Sequence, residues 1–186
     1  MPSTGRIPRV TTGRIPRLAY DTYPDEARHR LRELVGDELT CQTREDAEHL
    51  ADRLARLLPE PAPGRLGLVE LLLNAVEHGN LEIGASLKAR LLREHQLEAE
   101  ITRRLALEPY RSRWVRVRVL CVEPEIAIEI RDEGPGFAWR SALSAELTAN
   151  ERPNGRGIAL TRAVCFPSLE YRDPGNIAIV RLPWPR

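Results

Sequence analysis

The chain has 186 residues, with 28 Lys and Arg against 27 Asp and Glu and a formal net charge of +1, a balance that gives no reason to expect a nucleic-acid or membrane-surface protein. At 42% hydrophobic and 30% charged residues it is an ordinary globular mix, long enough for one domain with a sizeable core. Lys88 is the only lysine, and it follows no glycine-rich loop, so the P-loop is excluded, as is the eukaryotic-type kinase set of Gly-rich loop, strand lysine and His-Arg-Asp.

Residues 1–20 are expected to be a disordered or extended basic tail. Thr4-Gly5-Arg6-Ile7-Pro8-Arg9 returns as Thr12-Gly13-Arg14-Ile15-Pro16-Arg17, and Pro and Gly at this density oppose helix. The repeat reads as a docking peptide, as a tolerated tail or as an overcalled start of translation. Residues 21–186 are expected to form one domain. Pro24 to Val35 reads as a short helix, Glu38 to Cys41 as a strand leading to a cap at Thr43, and Ala47, Leu50, Ala51, Leu54, Ala55 and Leu58 recur at helical spacing. Residues 59–64, rich in Pro, read as a connector. A second helix is predicted from Arg65 to His78, apolar on almost every side and therefore central, with Gly79 as a left-handed cap. Residues 86–108 are charged and helical in period, a surface insertion.

The period then switches to two. Val115, Val117 and Val119 alternate with Arg116, Arg118 and Leu120, and Ile126, Ile128 and Ile130 with Ala127, Glu129 and Arg131, which predicts a hairpin. Residues 138–154 are weakly patterned, Gly155 to Val164 reads as a helix, and Leu169 to Leu182 as a closing hairpin around Asp173-Pro174-Gly175. Antiparallel strands with segregated helices predict an α+β fold, a two-layer α/β sandwich with helices on one sheet face. Cys41, Cys121 and Cys165 are odd in number and far apart, expected as buried thiols in a reducing cytoplasm. No apolar run reaches the ~18 residues of a membrane span, and no signal-peptide stretch is present.

Three stretches carry chemistry. On the apolar helix, Glu70 and Asn74 lie one turn apart, with Glu77 and His78 continuing the face. Polar groups there are costly unless satisfied: either they cap backbone at the helix rim or they line a ligand cavity, where an Asn oxygen suits Mg2+ and a carboxylate can orient or deprotonate a nucleophile. His78 reads as a capping or supporting residue. Asp132-Glu133-Gly134-Pro135-Gly136-Phe137 follows a strand; it is either an ordinary tight turn or a carboxylate acceptor for an exocyclic amine beside backbone that a ligand can approach. Asn154-Gly155-Arg156-Gly157-Ile158-Ala159-Leu160 opens a helix whose N-terminus suits phosphates, with Arg156 as a forked donor.

Together, in this order, the three resemble the histidine-kinase-like ATP-binding superfamily of gyrase, heat-shock chaperones, sensor histidine kinases and mismatch-repair ATPases. Residues 70–80 resemble its N-box, residues 132–137 its first glycine box and residues 154–160 its second. Within it, the Asn-Ala-x-x-His-Gly pattern is most similar to bacterial anti-sigma factor serine/threonine kinases, the switch-protein kinases. The resemblance implies a mixed, mostly antiparallel sheet. It implies that Asn74 holds Mg2+ on the ATP phosphates, that Glu70 is the catalytic base or orienter for a partner's hydroxyl, and that Asp132 binds the adenine amine. Gly134 and Gly136 would let backbone approach the nucleotide, and Gly155, Arg156 and Gly157 would meet the phosphates beneath a mobile lid at 138–154. The implied partners are an anti-anti-sigma-like protein, and a sigma factor or a response-regulator or phosphatase module; a homodimer is implied by analogy. The insertion at 86–108 departs from the shorter kinases. It is a form associated with ATPase domains beside receiver or phosphatase modules, and it leaves open a non-catalytic ATP-binding module that sequesters a partner. A third alternative, the catalytic half of a two-component histidine kinase, lacks a phosphoacceptor context at His29 or His49.

Overall fold

The computed structural model describes residues 25–122, 125–144 and 156–183; the repeated tail at 1–20 lies outside them. Five strands, β1 (Glu38–Cys41), β2 (Val115–Val122), β3 (Glu125–Arg131), β4 (Glu170–Arg172) and β5 (Ile177–Pro183), form one sheet in the order β1-β2-β3-β5-β4, with every neighbour antiparallel. The one parallel contact among the described residues is a single bridge, Val35 to Val119. The alternation read from the sequence sets the register. Val117 faces Ile130, which faces Ala178, and Val119 faces Ile128, which faces Val180. These side chains are buried in one apolar cluster with residues of the helices, so the helices cover this face. The opposite face carries Glu38, Arg116, Arg118, Glu129, Arg131, Arg172 and Arg181, stitched by ion pairs such as Arg116–Glu133 at 2.5 Å and Arg181–Glu170 at 3.0 Å.

The helices are α1 (Asp25–Leu34), α2 (Arg44–Ala55), α3 (Pro61–Asn74), α4 (Ala85–Arg93), α5 (Leu97–Leu105), α6 (Trp139–Ser144) and α7 (Arg156–Leu160). Thr43 caps α2 as expected, in a reciprocal capping box with Asp46. Helix α3 starts earlier than predicted. Pro61 occupies its first turn, where a missing N–H costs nothing, so much of the expected connector is helix. The helix is also less uniformly buried than its composition implies. Leu68, Leu71 and Leu72 are buried, Leu73 is half-buried, and Leu66 is 58% exposed. The insertion is two short helices, α4 and α5, anchored in the core through Leu91, Leu97 and Ile101. Only Cys41 among the thiols is fully buried, and burial together with the charge of Asp46 pushes it up to about 12; Cys121 is exposed, contrary to expectation. Among the described residues no helix is long and apolar enough to cross a membrane.

Candidate functional site

Glu70 and Asn74 sit one turn apart near the C-terminus of α3, both half-buried, and Asn74 Nδ2 donates to Glu70 Oε1 at 2.9 Å. This bond leaves the Asn74 amide oxygen turned away from the carboxylate. The Glu70 carboxylate lies against the backbone of Gly157 in α7: a Cβ on Gly157 would stand 1.8 Å from Glu70 Oε1. Helices α3 and α7 are therefore in contact at this point, and a side chain at 157 would displace the Glu70 carboxylate.

Beyond Asn74 the chain widens into π-helical turns over Ala75–Asn80, with Leu81 N–H donating five residues back to Val76 O at 2.9 Å. A π turn changes the angular phase of the residues beyond it. This corrects the expectation that Glu77 and His78 share the face of Glu70 and Asn74. Glu77 is fully buried, with Arg44 Nε 3.0 Å from Oε1 and Lys88 Nζ 2.6 Å from Oε2. These are ion pairs by distance, but they are off-line for hydrogen bonding. His78 turns its Nδ1 to Ile83 O at 2.5 Å, and burial holds its pKa below the ordinary value against the pull of that carbonyl.

Gly79 is not a left-handed cap. The described glycines with positive φ are Gly36, Gly136 and Gly175. Its missing side chain instead admits Asp132, since a Cβ on Gly79 would stand 2.3 Å from Asp132 Cγ. The backbone of Gly134 lies against the Gly79 carbonyl just as closely, at 2.3 Å by the same measure. Asn80, 2% exposed, accepts the Glu133 N–H on its Oδ1 at 2.7 Å, while its Nδ2 is buried without a partner among the described residues. Arg113 donates to the Asn80 carbonyl at 2.8 Å and Arg104 to that of Leu81 at 2.5 Å. Cations thus cap the carbonyl end of the helix, where its dipole is negative.

The Asp132 loop is held from its other side by the β4–β5 hairpin. Asp132 N–H donates to Asn176 O at 3.0 Å, and Asn176 Nδ2 donates back to Asp132 O at 3.2 Å. Gly136 adopts φ +79°, which L side chains avoid, and Phe137 N–H donates to Pro174 O at 3.0 Å. The Asp132 carboxylate accepts the Gly134 N–H at 2.8 Å. Burial lifts its pKa to about 6, with the Gly134 bond pulling the other way. At neutral pH it is mainly ionised and able to accept a further hydrogen bond.

Helix α6 opens the predicted lid and is tied to the same hairpin. Trp139 Nε1 donates to Asp173 Oδ1 at 2.9 Å, and Arg140 grips both Asp173 oxygens at 3.0 and 2.9 Å. Residues 145–155, hence Gly155 and most of the lid, lie outside the described residues, as does the side chain of Arg156.

Among the described residues no cluster of three His, Cys, Asp or Glu side chains could hold a metal by itself. The donor set fits a hard cation that takes one amide oxygen, from Asn74, and otherwise phosphate oxygens and water, the usual habit of Mg2+. Sequence reading missed Asn80, Arg113 and the Glu77 ion pairs. Asn80 directly follows Gly79, and that adjacency is its only signal in the sequence. No protein-family model matches the chain, and no curated protein does either.

Proposed function

We propose that the protein binds Mg2+-ATP between α3, the Asp132 loop and α7, and transfers the γ-phosphoryl group to a serine or threonine hydroxyl of a partner protein. One observation carries this reading: three stretches far apart in sequence meet through side-chain-free backbone, Glu70 on Gly157 and Asp132 on Gly79. A carboxylate acceptor stands on the Asp132 loop, and a paired Glu and Asn stand beside α7. This supports a site that takes an adenine ring at Asp132 and a polyphosphate at α3 and α7.

In this reading Asp132 accepts from the adenine amine, and Asn74 holds the cation through its amide oxygen. Mg2+, when bound, neutralises phosphate charge. Glu70 takes the hydroxyl proton as the partner oxygen bonds to the γ-phosphorus and the bond to the β-phosphate oxygen breaks, leaving ADP. Phosphoryl transfer needs mainly positioning and charge neutralisation, and the Asn74–Glu70 bond fixes the base beside the cation ligand. The partner is an anti-anti-sigma-like protein of bacterial signalling, and the histidine-kinase-like ATPase family supplies that expectation.

The experiment is transfer of radiolabelled phosphate from ATP to candidate partners encoded nearby. The parent chain should label a partner on serine or threonine, and Glu70→Ala should bind ATP without labelling. Equal labelling by Glu70→Ala removes Glu70 from the chemistry. ATP binding with no labelling of any partner by the parent favours a sequestering module instead.

A further inference from the structure

Tyr171 lies on the helix-covered face of β4, in register with Ala178, which in turn pairs with Ile130, two residues before Asp132. Its ring meets Phe137 edge-on, with centroids 5.1 Å apart and planes at 84°. Phe137 ends the Asp132 loop, so this contact places the tyrosine under that loop. The residue is 8% exposed. Among the described residues its hydroxyl meets no hydrogen-bond partner, yet its oxygen is not one of the fully enclosed unpartnered atoms, which belong to Arg44, Glu77 and Asn80. The hydroxyl of this otherwise buried residue is therefore not fully enclosed. A tyrosine this deeply buried ordinarily finds a partner for its O–H.

Burial, then the charges of Asp132 and Glu70, hold the phenol above its ordinary pKa. It stays protonated across physiological pH, so it is a permanent neutral donor within electrostatic reach of Asp132 and Glu70.

We propose that Tyr171 is a specificity-determining residue whose hydroxyl donates to an acceptor on the base or ribose of the nucleotide held by Asp132. The inference rests on the ATP-site reading and deepens it. The nucleoside half is favoured over the phosphates because the ring packs on Phe137, at the end of the Asp132 loop. Neither the sequence pattern nor the implied family roles single out this residue.

The test is calorimetric titration of the parent and Tyr171→Phe with adenosine, ADP, ATP and inorganic triphosphate. Loss of one such hydrogen bond weakens binding by about five- to tenfold. The expected result is that loss for adenosine, ADP and ATP alike, with triphosphate unchanged. The ratio of adenosine to triphosphate affinity on one preparation cancels any loss of folded protein, so a merely structural role would leave it fixed. Unchanged adenosine affinity, or an equal loss for triphosphate, overturns the proposal while leaving the ATP site standing. Failure of the parent to bind any adenine nucleotide overturns both.

Discussion

The Asp132 carboxylate rests on the Cα of Gly79, so close that a methyl group there would stand 2.3 Å from Asp132 Cγ. Gly79→Ala is expected to push the carboxylate off the helix end, at roughly 1–3 kcal/mol of stability, the usual cost of overpacking. ATP affinity should fall as well. Gly84 has open space around it, so Gly84→Ala is the control and should cost less than about 1 kcal/mol. Urea unfolding of both variants checks the pair, and equal costs would contradict the contact.

Asp132 also sets a pH dependence. Its carboxyl titrates near pH 6 in the folded chain against 3.8 ordinarily. The folded state therefore holds this proton to higher pH than the unfolded state does. Through this group the ligand-free protein gains stability as pH falls through 6, and the gain is complete below the unfolded value. Nucleotide binding runs the opposite way, because the adenine amine needs the ionised acceptor, so affinity should drop below pH 6. Asp132→Asn should flatten both profiles. Unfolding midpoints and ATP titrations between about pH 5 and about 8 measure them; a ligand-free parent that loses stability relative to Asp132→Asn as the pH falls through this window would reverse the assigned sign.

Asn74→Ala removes the proposed cation ligand and the donor to Glu70 Oε1. It should abolish Mg2+-dependent ATP binding while costing only about 1 kcal/mol of stability, the net worth of one partly buried hydrogen bond. Titration with and without Mg2+ decides. Unchanged Mg2+-ATP affinity would remove Asn74 from the site.

Lys88 and Arg44 together neutralise the fully buried Glu77. Breaking a buried ion pair costs roughly 3–5 kcal/mol because a charge is left behind. Lys88→Met should fall at the low end, since Arg44 remains. The double variant Lys88→Met with Arg44→Met should cost more than the sum of the two single changes, because only it leaves the buried Glu77 carboxylate without a counter-charge. Thermal melts of the parent, the two single variants and the double variant test the coupling, and simple additivity would argue against it.

The strands and the paired site residues were legible because each follows a short-range rule. Val115, Val117 and Val119 alternate as a half-buried strand must, and they fall in one buried register with Ile126, Ile128 and Ile130. Glu70 and Asn74, four apart, meet on a regular helix. The features that did not read from the sequence depend on long-range packing. Pro61 looked like a breaker but sits where a helix tolerates proline. Gly79 looked like a helix terminator because glycine usually serves that purpose; here the close approach of Asp132, far along the chain, demands it. The π turns that swing Glu77 towards Lys88 break the period on which the face assignment rested. The lone lysine was visible in the sequence, but only its absence from a P-loop was informative there.

With a single lysine in the chain, its ε-amine is also a chemical reporter. Held 2.6 Å from a buried carboxylate, Lys88 should resist acylating reagents except when the helical turns carrying Glu77 let go. The rate at which an amine-directed label enters Lys88 thus reads the opening of the Lys88–Glu77 contact, without an engineered probe and in the untouched protein.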